Sequence, residues 1–153
     1  MKTEIRTIKS LSESEMKLMN IWMKKEFGKK YIRKFKKYYP SNARCFFIKD
    51  KNEIIAFGIL NPLIAEYLGK KYKFFGVGDI LTIRRGKGYG RTLMKAIIKH
   101  LRKNKITGIG FCARKNTSFY KKVGMKSKKD LMKRFRYRNP KNKRLSPVKN
   151  GDG

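Results

Sequence analysis

Acidic side chains are scarce in this chain: ten Asp and Glu stand against 42 Lys and Arg, for a formal net charge of +32. So lopsided a balance repels polycationic partners and favours anionic ones. Cysteine is also nearly missing. Cys45 and Cys112 both lie in apolar, strand-like surroundings, Ala43 to Ile48 and Gly110 to Ala113. They read as buried free thiols in a reducing compartment rather than as a disulfide, a metal site or a nucleophile. Histidine occurs once, and His100 sits beside the apolar stripe of a helical segment, so a packing or boundary role is expected of it. No apolar run approaches the ~20 residues that span a bilayer. The opening Met1-Lys2-Thr3-Glu4 lacks the apolar core of a signal peptide. A soluble, cytoplasmic protein without membrane contact is the expectation. No internal repeat is present.

The chain's 153 residues, 40% of them hydrophobic, suit one compact domain with a single core. Glu4 to Ile8 reads as a short strand. Ser12-Glu13-Ser14-Glu15 has the form of a capping box and opens a helix, whose Met16, Met19, Ile21, Trp22 and Met23 crowd one broad stripe. Gly28 interrupts that helix, and a second helical segment is expected from Tyr31 to Tyr39, ended by Pro40. Arg44 to Ile48 and Glu53 to Leu60 read as strands around a polar turn. Pro62 to Tyr67 and Tyr72 to Ile83 form another apolar pair. Arg91 to Leu101 is amphipathic, with Leu93, Ala96, Ile97 and Leu101 on one face. Ile106 to Ala113 and Leu131 to Arg138 read as further strands. The domain is expected over 1–138, followed by a basic, flexible tail at 139–153 that has no periodicity.

The stretch Arg85-Gly86-Lys87-Gly88-Tyr89-Gly90 lies where the apolar run Ile80 to Ile83 meets the amphipathic helix. A strand that ends in a tight loop and opens a helix aims several unpaired backbone N–H groups at one point, backed by the positive end of the helix dipole. Gly88 and Gly90 remove Cβ atoms that would block a ligand, and Arg85, Lys87 and Arg91 supply charge. Taken alone, this loop is equally a conformational turn. A second segment, Asn116-Thr117-Ser118-Phe119-Tyr120-Lys121-Lys122-Val123-Gly124-Met125, follows the strand-like run at Ile106 to Ala113.

Together these segments resemble the GNAT superfamily of acyl-CoA-dependent N-acetyltransferases. Arg85, Gly88 and Gly90 fill the family's acyl-CoA loop, and Asn116, Phe119, Tyr120, Gly124 and Met125 match its later motif. Ile83-Arg84-Arg85 is shorter between strand and loop than in many members. The resemblance implies an α+β, three-layer fold with a central mixed, mostly antiparallel sheet flanked by helices. It implies transfer of an acetyl group from acetyl-CoA, without a metal, to a primary amine by direct attack. The backbone of Leu81, Thr82 and Ile83 would hold the acyl and pantetheine groups. The loop residues Arg85, Gly86, Lys87, Gly88, Tyr89, Gly90 and Arg91 would cradle the pyrophosphate. Asn116 would cap the short helix and touch the coenzyme. Tyr120 is the candidate acid for the departing thiolate, with core packing as the competing role. Asp79 is the candidate base; alternatively it pairs with a neighbouring Lys or caps a bulge near Gly76 and Gly78.

The basic residues cluster with aromatics at Lys24 to Tyr39 and again at Lys121 to Arg144. Both clusters could steer an anionic acceptor, with nucleic acid or a nucleic-acid-associated protein as the candidate partner. Equally, charged helix faces are commonly just solvated. A nucleic-acid-binding module on an acyltransferase fold, with weak or no turnover, is the alternative function. Monomer and homodimer are both open.

Overall fold

The computed structural model describes residues 1–138 and 142–147. The chain divides into two units, Met1–Gly110 and Phe111–Gly153. The first unit begins with β1 (Lys2–Thr7), a 3-10 turn at Ile8–Ser10 and α1 (Glu13–Phe27). The capping box forms as its sequence dictates: the Ser12 hydroxyl accepts from the Glu15 N–H at 3.2 Å, and the Glu15 carboxylate accepts from the Ser12 N–H at 2.8 Å. Gly28, at φ 95°, ends the helix by donating to the Lys24 carbonyl.

The expected second helix is mostly absent. Lys29–Tyr31 makes one 3-10 turn, and α2 is the single turn Phe35–Tyr38. The cause is a clamp: the Asn20 carboxamide accepts from the Arg33 N–H and donates to the Arg33 carbonyl, each at 2.8 Å. A backbone whose N–H and C=O are both bound to one side chain cannot also make helical bonds.

β2 (Arg44–Asp50), β3 (Glu53–Tyr67), β4 (Lys70–Thr82), α3 (Tyr89–Lys103) and β5 (Gly108–Ile109) complete this unit. The sheet order is β1-β2-β3-β4-β5, antiparallel throughout except for the parallel β4/β5 pair. β3 runs straight through Pro62, which the sequence suggested would separate two strands. Phe75, opposite Pro62, turns its N–H away from β3 to the Thr107 carbonyl at 2.9 Å. The pair is therefore a non-hydrogen-bonded one, and the N–H that proline lacks is not needed by the ladder.

Helices cover both faces of the sheet. Cys45, Phe47, Phe57, Ile59 and Leu81 pack with Met16, Met19 and Met23 of α1 and with Phe35 and Tyr39. Trp22 stacks on Phe57 at 6.1 Å between centroids. The alternate residues face α3: Phe46 meets the His100 ring edge-on at 5.3 Å, and Gly58 lies under Leu93 and Ile97. Such burial contributes roughly 1.5–3 kcal/mol per large apolar side chain. His100 thus has its packing role. Burial, then Arg44 and Lys103, hold its pKa below the usual histidine value. Cys45 is buried as expected, and burial raises its thiol pKa, whereas Cys112 is exposed. Cys112 differs because its neighbourhood is irregular: the strand expected from Ile106 to Ala113 is reduced to Gly108–Ile109.

The second unit holds a 3-10 turn at Arg114–Asn116, α4 (Thr117–Lys122), a 3-10 turn at Leu131–Arg134 and an antiparallel ribbon of β6 (Arg136–Arg138) with β7 (Leu145–Pro147). The final strand therefore covers only the end of the expected Leu131 to Arg138. Within the stretch 139–153, expected as a tail, β7 is a strand and 139–141 and 148–153 lie outside the described residues. Among the described residues, no helix is long and apolar enough to cross a membrane.

A Cβ at Gly58 would lie 2.6 Å from Ile80 Cδ1 and 3.1 Å from Ile97 Cδ1. Gly58→Val is expected to lower unfolding free energy by about 1–3 kcal/mol through overpacking under α3. Urea denaturation checks it, and a variant as stable as wild type would mean that α3 does not press on the sheet there.

Candidate functional site

β4 carries one extra residue relative to β3: Phe57 pairs with Leu81, but Ile59 pairs with Gly78. The bulge holds Asp79 at φ 50°, a left-handed conformation that Asp tolerates better than most residues. Its carboxylate accepts a short hydrogen bond from the Tyr39 hydroxyl. Thus Asp79 does sit in a bulge, but its partner is a tyrosine rather than a lysine. Burial raises its pKa above the usual 3.8, opposed by the Tyr39 hydrogen bond and by Arg33. Tyr39 is held protonated, by burial first and then by Asp79. Arg33 places its guanidinium over the Tyr38 ring at 4.4 Å and the Tyr31 ring at 5.4 Å.

Past this bulge the β4 edge opens. β5 pairs with β4 only at Phe75↔Gly108 and Gly76↔Ile109. The Ile83 N–H donates to the Ile55 carbonyl of β3 at 3.0 Å. By ladder alternation Leu81 also faces β3, and Thr82 alone of the three directs its N–H and C=O to the open edge. Leu81's side chain is buried in the α1-side core. The short connection Ile83-Arg84-Arg85 is accommodated, because Ile83 still extends the β3 ladder and α3 begins only at Tyr89.

The loop itself is built of two left-handed glycines. Gly86 and Gly88 both have φ 78°, and a Cβ at either would meet no atom within 4 Å. Gly88 is the N-cap of α3 and brings no side-chain cap. The first intrahelical bond is Thr92 N–H to Gly88 carbonyl, at 3.0 Å. Tyr89, Gly90 and Arg91 therefore present N–H groups without intrahelical partners, at the positive end of a 15-residue helix. Lys87 and Arg91 are exposed beside them. Open space over two glycines, uncapped donors and local cations fit a pyrophosphate group.

Arg85 is already engaged, by the Glu26 carboxylate in the last turn of α1. The sequence reading missed this pair, though a carboxylate at a helix C-terminus opposes the dipole and signals a cationic neighbour. It also missed Tyr39, Arg33 and Asn61. Asn61 is opposite Gly76 on β3, and its Oδ1 is buried without a hydrogen-bond partner.

Asn116 and Tyr120 belong to the second unit. Asn116 stands at the N-cap of α4 but makes no side-chain cap bond, contrary to expectation. The preceding 3-10 turn runs directly into α4, so Asn116 has a near-helical backbone (φ −94°, ψ −5°) rather than the extended one a capping side chain needs. Tyr120 packs edge-on against Phe119 at 5.1 Å. Burial, then Cys112, raises its pKa and keeps the phenol protonated.

A bulged antiparallel sheet that opens beside a glycine loop at a helix N-terminus is the architecture of an acyl-CoA-dependent transferase. The family described as "Acetyltransferase (GNAT) family" matches residues 9–125, and the chain belongs to it. No curated protein matches the sequence. Among solved structures, an acetyltransferase from Trypanosoma brucei is 16% identical with TM-score 0.62, over 86% of this chain and 97% of that one. Glucosamine-6-phosphate N-acetyltransferase from Arabidopsis thaliana is 20% identical with TM-score 0.57, over 84% and 94%. A predicted acetyltransferase with acetyl-CoA from Clostridium acetobutylicum is 15% identical with TM-score 0.61, over 84% and 93%. These likenesses establish the fold.

Two predictions follow from the charges. The Arg85–Glu26 pair is exposed and worth at most about 1 kcal/mol, so Glu26→Gln is expected to free Arg85 and tighten acetyl-CoA binding about two- to fivefold. Calorimetry reads this, and weaker binding would mean that Glu26 supports the loop instead. Asp79, with its folded pKa raised, favours folding most when protonated, and that advantage is lost as pH rises from about 4 through its folded pKa. Asp79→Asn should match wild-type stability near pH 4 and exceed it at pH 7. Denaturation across that range tests the sign, and an advantage shrinking with pH would refute it.

Proposed function

We propose that this protein is an N-acetyltransferase that moves an acetyl group from acetyl-CoA to a primary amine by direct attack. The observation that carries the proposal is the uncapped N-terminus of α3 behind Gly86 and Gly88, next to the unpaired edge of β4 at Thr82. Arg85, Lys87, Arg91 and the N–H groups of Tyr89, Gly90 and Arg91 would hold the pyrophosphate. Thr82 would hold the pantetheine arm as an added strand does, while Leu81 and Ile83 keep the β4 edge in register. Asn116, free of a capping bond, would offer its carboxamide to the coenzyme. Acetyl-CoA supplies an activated acyl group as a thioester.

The amine must attack as the free base, since an ammonium has no lone pair. Asp79 would accept its proton. A carboxylate with a raised pKa is a stronger base than an exposed one, and the Tyr39 hydroxyl fixes its position. Tyr120 would hold a proton for the departing sulfur, as its raised pKa keeps it a phenol at neutral pH. The excess of 42 basic over ten acidic residues favours an acceptor that is anionic or bound to nucleic acid.

Acetyl-CoA titration by calorimetry and a thiol-release assay over a panel of amines test the proposal in sequence. Binding without turnover on any amine would leave a coenzyme-binding protein and remove the enzyme. Given turnover, Tyr120→Phe should lower kcat about 100-fold with little change in acetyl-CoA Kd. An unchanged kcat would confine Tyr120 to packing against Phe119.

A further inference from the structure

The cationic stretch after α1 forms one wall of a groove of about 560 Å3, and α1 itself forms the other. Six cations line it: Lys17 and Lys24 from α1, and Arg33, Lys34, Lys36 and Lys37 from the facing segment. Glu13 is the one acid among its lining residues. The Asn20–Arg33 clamp ties the two walls together. Lys17, Ile21 and Lys24 follow one another along a single helical stripe, with Ile21 between the two charges. Ile32 answers Ile21 from the other wall. These two isoleucines are 53% and 50% exposed, so the groove leaves aliphatic surface in water between its charges.

We infer that this groove docks an acidic, amphipathic peptide segment of a partner protein. Charge complementarity selects the sign of the partner, since six cations around one carboxylate repel each other until an anion enters. The aliphatic floor selects its class. Single-stranded nucleic acid is held by bases stacked on exposed rings. The one ring lining the groove, Phe35, is only 1% exposed, so it offers no stacking platform. An aliphatic or aromatic anchor residue would cover Ile21 and Ile32, and carboxylates on either side would reach Lys17 and Lys24. Those two lysines are seven positions apart on α1, roughly 10 Å along the axis. The partner segment therefore carries acids about two helical turns apart with an apolar residue midway. None of the groove's lining residues belongs to the glycine loop or to the β4 edge, so this docking stands whether or not the thioester site turns over.

Fluorescence anisotropy on the full chain tests it with three labelled probes of about fifteen residues or nucleotides: a peptide of Asp and Glu around a central Leu, the same peptide with Leu→Ser, and oligoadenylate. The Leu peptide should bind in a salt-dependent manner, and the Ser peptide at least about fivefold more weakly. Ile21→Ser, an exposed change that keeps the fold and acetyl-CoA binding, should erase the advantage of Leu over Ser. Lys17→Glu with Lys24→Glu should weaken both peptides. Equal binding of the Leu and Ser peptides, stronger binding of oligoadenylate that ignores Ile21→Ser, or no peptide binding at low salt would each overturn the assignment.

Discussion

Seven consecutive residues of β3, Ile54 to Leu60, are buried, and from Phe57 to Ile59 successive side chains face different helices. Phe57 and Ile59 meet the methionine stripe of α1, while Gly58 meets Leu93 and Ile97 of α3. Burial on both sides fixes register absolutely, because a one-residue slip would exchange the two faces and drive Phe57 into the space kept for a glycine. The remaining geometry inherits that register. β4 is laid along β3, so its extra residue must bulge outward near Gly78, and the bulge is what carries Asp79 to Tyr39.

The same register decides which backbone groups remain available. β3 takes the inward-facing groups of Leu81 and Ile83 and leaves those of Thr82 at an edge that β5 does not follow beyond Gly76. A rigid central strand thus presents a short stretch of unsatisfied backbone next to a helix N-terminus whose first donors are also unsatisfied. Polar groups left open in this way cost stability unless a ligand or water meets them.

Charge works on a different scale. The net +32 does not shape the core, where no charged residue is buried among the described residues. It concentrates the few acids into local tasks. Glu15 closes the capping box and pairs with Arg6, and Glu26 holds Arg85. The lysines that find no such partner spread over exposed faces, and one set of them converges on the groove beside α1.

Local features were legible from sequence because their causes are local. Ser12 and Glu15 are three residues apart, Gly28 needs no distant contact to end a helix, and the period of Leu93, Ile97 and Leu101 reports its own buried face. The glycine loop and the family membership were readable for the same reason, as spacing within short segments. What tertiary structure alone decided depends on residues far apart in the chain. Asn20 unwinds Arg33 thirteen positions on, Phe75 excuses Pro62 by turning to Thr107, Tyr39 reaches Asp79 across forty, and Glu26 reaches Arg85 across 59. A side chain's pattern announces the face it buries, but not which distant polar group it will meet there. That choice is made only when the sheet and its two covering helices bring the partners together.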